Sequence, residues 1–235
     1  MDKKVKLTNF YEKIDKKLLL PSKNPHYETH KLKLPFRLLL VGSSGSYKTG
    51  TLLNIIKSMN DTWDKIVIIS KNLDEPLYKW LRAKISEEQG LYMYEGLENT
   101  PPLDSWNNKE NNLIVWDDMQ NEKNLKSVSD YFIRCRKLNV SAIFIAQSYF
   151  LPDKDFKNMR RNCNYVIIKK INSSRDINLI IREYSLDISK EQFNKIYQDI
   201  IKEDILNFLL IDIDASPENR FRKNFTPIDI TQYLI

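Results

Sequence analysis

Cysteine and histidine are almost missing from this chain, with two of each in 235 residues. Cys135 and Cys163 are too few for a disulfide framework, which points to a reducing compartment rather than a secreted protein. Long apolar runs are missing too. None approaches the roughly 18 residues needed to cross a bilayer, and the first residues, MDKKVKLTNFYEK, have no apolar stretch of the signal-peptide kind, so membrane insertion is not expected. Internal repeats and low-complexity segments are also lacking. What remains is 42% hydrophobic and 29% charged, the balance of an ordinary globular protein with one large domain.

Lys and Arg exceed Asp and Glu by 37 to 31, a net charge of +6 that permits an anionic partner without naming one. Residues 1–35 hold nine lysines (3, 4, 6, 13, 16, 17, 23, 31 and 33) against four acids (2, 12, 15 and 28), or five of the six net charges. This segment, broken by Pro21 and Pro25, reads as a basic arm or appended element. The domain proper is expected over 36–235. Lys, Asn and Ile are abundant throughout, as an AT-rich gene also produces, so scattered lysines alone do not define a nucleic-acid surface.

From Phe36 onward, apolar runs alternate with amphipathic stretches. FRLLLV (36–41), KIVIIS (65–70), NLIVW (112–116), SAIFIA (141–146), YVIIK (165–169) and FLLIDI (208–213) suit strands buried on both faces of a mainly parallel sheet. Helices are predicted near 48–59, 74–88, 123–137, 174–184 and 189–203, and Leu91–Tyr94 as a short edge strand. Strand then helix, repeated, is an α/β fold with helices on both faces. Trp63, Trp80 and Trp106 are expected to pack rather than to stack on bases.

Directly after the first strand comes Gly42-Ser43-Ser44-Gly45-Ser46-Tyr47-Lys48-Thr49-Gly50, followed by a helical pattern. This is nearly G-x-x-x-x-G-K-[ST], in which backbone N–H groups at a helix N-terminus surround phosphates. Lys48 then reaches the β and γ phosphates of ATP, and the Thr49 hydroxyl ligates Mg2+. Tyr47 stands where the pattern asks for glycine. It is therefore expected to hold a backbone conformation that glycine adopts cheaply, with its ring packed outside the loop or on the adenine. About 70 residues later, NLIVW runs into Asp117 and Asp118. Asp117 at the strand end suits the metal, and Asp118 suits a general base for the attacking water. SAIFIA then ends in Gln147, a polar residue able to sense the γ phosphate if this strand lies between the other two.

The order GSSGSYKT, LIVWDDM, RCRKLNVSAIFIAQSYF and NMRRNCNYVIIKK resembles the viral genome-packaging ATPases of the FtsK/HerA superfamily, of the poxvirus and giant-virus type, over about residues 34–225. The resemblance implies a RecA-like P-loop NTPase core, ATP and Mg2+, and a homo-oligomeric ring, pentamer or hexamer. It further implies translocation of double-stranded DNA into a capsid, a capsid or portal-vertex partner, and a place in the host cytoplasm (viral factory) or virion. By it Lys48 and Thr49 map to Walker A, Asp117 and Asp118 to Walker B, and Gln147 to the sensor. Asp118 stands where many relatives carry glutamate. Ring NTPases complete their sites with an arginine from the neighbouring subunit. Arg134 and Arg136 are the first candidates for that role here, Arg160 and Arg161 the second. A nucleotide-regulated DNA-binding or assembly protein, or another P-loop NTPase such as a helicase, is the alternative.

Overall fold

The computed structural model describes residues 7–15, 23–185 and 188–233. Lys3, Lys4, Lys6, Lys16 and Lys17 of the expected basic arm lie outside them. Each of the six apolar runs forms a strand: β1 (Arg37–Val41), β2 (Lys65–Ser70), β4 (Asn112–Asp117), β5 (Val140–Ala146), β6 (Tyr165–Ile168) and β7 (Leu209–Asp212). The expected edge strand is β3 (Leu91–Glu95). A C-terminal hairpin, β8 (Phe221–Lys223) and β9 (Thr226–Pro227), extends the other edge. The nine strands are ordered β3-β2-β4-β5-β1-β6-β7-β8-β9. Pairing is parallel from β3 through β6 and antiparallel beyond.

The helices are α1 (Tyr27–His30), α2 (Lys48–Ser58), α3 (Pro76–Lys84), α4 (Lys126–Arg134), α5 (Lys154–Asn162), α6 (Ser174–Tyr184), α7 (Lys190–Glu203) and α8 (Pro217–Arg220). None of the described helices is long and apolar enough to cross a membrane. Strand side chains alternate between two cores, one on each face of the sheet. Leu39, Val41, Ile114, Trp116, Phe144 and Val166 face α4 to α7, packing with Phe132, Phe156, Ile180 and Ile196. Leu38, Leu40, Leu113, Val115, Ile143 and Ile145 face α2 and α3, packing with Leu52, Ile55, Tyr78 and Leu81.

Helix boundaries follow their caps. Pro76 at the first position starts α3, two residues inside the expected range. Ser189 and Gln192 close a capping box on α7, and the Ser173 hydroxyl accepts the Asp176 N–H on α6. Helix α5 is not expected from the sequence. Its segment carries only Phe156 and Met159 as apolar anchors, but the Asp153 carboxylate caps it by accepting from the N–H groups of Asp155 and Phe156. Arg160 and Arg161 accordingly lie in a helix's last turn.

Part of the segment ahead of β1 packs on the core. His30 and Leu32 are fully buried, and the Lys33 N–H donates to the Tyr165 hydroxyl at 3.0 Å. Arg222 ties this segment to the far edge strands. Its Nη1 donates to the Lys31 carbonyl at 3.1 Å and its Nη2 to Asp212 Oδ2 at 2.5 Å, with both charged side chains almost wholly buried. Removing one member of such a pair strands the other charge in the core. Arg222→Ala is therefore expected to lower unfolding free energy by about 3–5 kcal/mol in urea titration, with Asp212→Asn in the same chain recovering part of the loss. A cost of less than about 1 kcal/mol would show that water replaces the pair.

Candidate active site

The phosphate loop is fixed at both ends by the sheet. The Gly42 N–H donates to the Ala146 carbonyl at 3.2 Å and the Ser43 N–H to the Lys170 carbonyl at 2.9 Å, so the loop leaves β1 between β5 and β6. A Cβ on Gly42 would stand 2.5 Å from Ser46 Oγ and 2.6 Å from Lys169 Cβ. Gly45 has a φ of 74°, open to glycine at little cost. Lys48, in the first turn of α2, donates from Nζ to the Ser43 carbonyl at 3.1 Å. Burial pushes the Lys48 ammonium down from its usual range, and Asp117, Asp118 and Glu75 partly offset this.

Tyr47 sits at φ 66°, ψ 35°, the left-handed conformation expected of it, and caps α2 with no side-chain hydrogen bond. Its ring lies outside the loop, against Gly50. A Cβ on Gly50 would come within 2.2 Å of Tyr47 Cε1, so the glycine leaves the space that the ring occupies. Tyr47, the departure from the common loop sequence, and Gly50 thus form one packing unit.

β4 carries Asp117, 7% exposed, to the edge where the loop begins. Asp118 follows in a turn at φ 58°, a strained conformation for a non-glycine residue. β5 lies between β4 and β1. Gln147 at its end therefore faces both, donating from Nε2 to Asp118 Oδ1 at 2.8 Å while its own N–H donates to Gln120 Oε1 at 2.6 Å. Ser44 through Gly50, Asp117, Asp118 and Gln147 line one cavity of about 360 Å3. A larger concavity of about 760 Å3 between α6 and α7 contains Arg175, Arg182 and Lys190 but lacks this convergence of carboxylates and loop, so size does not identify the site.

Helix α3 adds two residues not foreseen from the sequence. Glu75, just before its first turn, accepts from Thr49 Oγ1 at 3.2 Å. Tyr78, wholly buried, donates from its hydroxyl to Asp117 Oδ2 at 2.5 Å. Burial, then the Asp117 charge, pushes the Tyr78 phenol well above its usual range, so it remains a donor. Their only sequence signal is a Glu-Pro pair opening a helix after a buried strand, on the edge where α/β proteins gather ligands.

The four arginines are not brought into the cavity of their own chain. Arg134 ends α4 and Arg136 lies in the turn Cys135–Leu138, both exposed and both at the start of β5, the opposite end from Gln147. Arg161 is exposed at the end of α5. Arg160 is committed elsewhere. Its guanidinium lies 4.6 Å from the Tyr149 ring centroid, donates to the Tyr149 carbonyl and pairs with Glu183 at 3.6 Å, with its side chain 11% exposed. That burial corrects the expectation that Arg160 is available to a neighbour.

The sequence profile of the poxvirus A32 proteins matches residues 24–213. The chain belongs to the poxvirus A32 protein family. This places it among the viral packaging P-loop ATPases of the FtsK/HerA type, as the motif order implied. Curated proteins offer no match. Among solved structures, this A32-family chain is similar to the genome packaging NTPase B204 of Sulfolobus turreted icosahedral virus 2, solved in complex with ATP-gammaS. That similarity is at 13% identity and a TM-score of 0.54, covering 84% of this chain and all of that one. It is also similar to EssC (ATPases 2 and 3) of Geobacillus thermodenitrificans, at 11% identity and a TM-score of 0.55, covering 82% of this chain and 40% of that one. At such identities the likeness establishes the RecA-like fold.

The site generates two tests. A methyl group added at Gly50 drives out the Tyr47 ring, so Gly50→Ala is expected to weaken binding of a non-hydrolysable ATP analogue about tenfold. In a Tyr47→Gly background the same change should cost less than about threefold. Equal losses in both backgrounds, by calorimetric titration, would separate the two residues energetically. The second concerns pH. Burial pushes the Asp117 carboxyl up to about 6; the Tyr78 hydrogen bond pulls it down, Glu75 pushes it up, Lys48 pulls it down and Asp118 pushes it up. The folded chain thus holds this proton more tightly than the unfolded one, whose carboxyl titrates near 3.8. Stability from this group is full below that value and is lost as pH rises to about 6, by about 3 kcal/mol. Asp117→Asn lacks this slope. Its melting temperature, relative to the nucleotide-free parent, should rise between pH 4 and pH 7, and a constant difference would contradict the assignment.

Proposed function

We propose that this chain is the ATP-hydrolysing subunit of a ring, pentamer or hexamer, that drives double-stranded DNA into a viral capsid through contact with a capsid or portal-vertex protein. The observation that carries the reading is the meeting of Lys48, Thr49, Asp117, Asp118 and Gln147 around one cavity in a member of the A32 family. The likeness to B204, which is called a genome packaging NTPase, supports it. Two buried free cysteines suit the reducing host cytoplasm, where a viral factory and then the virion are its places of action.

The donor set fits Mg2+ beside a nucleotide. Among the described residues no three His, Cys, Asp or Glu side chains are arranged to hold a metal by themselves. Mg2+ in phosphate sites is usually held by one or two protein groups together with phosphate oxygens and water. Thr49 and Asp117 are those groups here, and Ser46 Oγ, buried without a protein partner, faces the same loop. When bound, the ion supplies neutralisation of phosphate charge. Lys48 leaves the Ser43 carbonyl for the β and γ phosphates. Asp118 accepts a proton from water as that water's oxygen bonds to the γ phosphorus and the bond to the ADP oxygen breaks. Gln147 holds the Asp118 carboxylate and reports the loss of the γ phosphate to the segment after β5. Of the four candidate arginines, Arg134, Arg136 and Arg161 are exposed and open to a neighbour's site.

Purified protein is expected to hydrolyse ATP faster with double-stranded DNA than without, and Lys48→Ala to lower turnover by at least a hundredfold. Mixing Lys48→Ala subunits with subunits lacking Arg134 or Arg136 should restore part of the activity, since one intact composite site re-forms at a shared boundary. Full turnover by Lys48→Ala would falsify the site. A DNA-insensitive, concentration-independent monomer would remove the motor reading.

A further inference from the structure

A hydroxyl that ligates a cation must turn a lone pair toward the ion and its hydrogen toward an acceptor. Thr49 already does half of this, because its hydrogen is directed at Glu75 Oε2, 3.2 Å away, which leaves the oxygen's lone pairs for the cavity. A carboxylate that ligates through one oxygen is likewise oriented by a donor on the other. Tyr78 supplies that donor to Asp117 Oδ2 at 2.5 Å, leaving Oδ1 for an ion. Both contacts come from the same short piece of chain, the cap and first turn of α3, and Tyr78 is locked in the core while doing so.

We propose that Glu75 and Tyr78 are positioning residues for the magnesium site, with Glu75 orienting the Thr49 hydroxyl and Tyr78 the Asp117 carboxylate, so that the cap and first turn of α3 preset both protein ligands before the ion arrives. This rests on the assignment of Thr49 and Asp117 as magnesium ligands made above. Partners of this kind fix a ligand's orientation, and their loss typically weakens metal affinity ten- to a hundredfold. Glu75 also adds a negative charge that an arriving cation does not have to displace.

The test measures affinity for a non-hydrolysable ATP analogue by calorimetry twice, once with Mn2+ as the ion and once in EDTA, and takes the ratio as the enhancement due to metal. Bound Mn2+ is checked by its electron paramagnetic resonance spectrum. Tyr78→Phe keeps the packing and removes only the hydroxyl. Glu75→Gln keeps an acceptor and removes the charge, while Glu75→Ala removes both. The enhancement is expected to fall about tenfold in Tyr78→Phe and in Glu75→Ala, with Glu75→Gln between parent and Ala, through weaker binding with Mn2+. Affinity in EDTA stays at the parent value in Tyr78→Phe, which removes no charge, and a fall that comes only from tighter binding in EDTA counts against positioning. If the parent shows no enhancement, the magnesium assignment itself falls and this inference with it. If the parent shows it and both Tyr78→Phe and Glu75→Ala retain it, only the positioning role is overturned. Equal losses with and without metal overturn it as well, since they mark a general disturbance of the loop.

Discussion

The parallel pairing of β5 between β4 and β1 is the constraint on which the site depends. In a sheet buried on both faces, each backbone N–H and carbonyl must find its partner in the neighbouring strand, so register is not free to slip. Val41 lies beside Ala146 and Asp117 beside Ile145, which brings the ends of three strands to one edge. The phosphate loop, the carboxylate pair and Gln147 each begin where one of these strands stops. None of the three needs a long-range contact of its own to find the others.

Strain at the site is concentrated where regular elements meet loops, at the cap of α2 and just past the end of β4. Tyr47 and Asp118 both have positive φ without being glycine, a condition that costs of order 1–3 kcal/mol at each and persists only where the surroundings enforce it. For Tyr47 the surroundings are identifiable as the missing side chain at Gly50, which turns a bulky residue into a lid on the first turn of α2. For Asp118 they are the hydrogen bond from Gln147 and the rigid end of β4. The carboxylate that follows Asp117 is thus held by the side chain at the end of β5.

Much of this was legible in the sequence because the chemistry is local to strand ends. Continuous apolar runs marked the buried strands, and α6 matched its expected span because Ser173 starts it and its apolar spacing is regular. The order Gly42 to Thr49, then Asp117 and Asp118, then Gln147 names the residues that anchor the loop or line the cavity. Glu75 and Tyr78 escaped because their role arises from the packing of α3 across the sheet edge, and a tyrosine at helical spacing reads as core, which Tyr78 also is. Helix α5 escaped because two apolar residues in nine give a weak period. Arg160 misled because charge suggests exposure, whereas its guanidinium is stacked and paired inside the fold.

The central place of β1 has a kinetic meaning as well. Its neighbours in the sheet are Ala142 to Ala146 and Tyr165 to Ile168, each more than 100 residues further along the chain. A ribosome therefore releases the apolar segment Arg37–Val41 long before either partner strand exists, and closing such loops is slow. The nucleotide loop is made more than 100 residues ahead of the strand ends that fix it, Ala146 and Lys170, and takes its shape only once they are in place. During that interval an unpaired apolar strand is exposed to other chains, a condition in which association between unfinished copies competes with completion of the sheet.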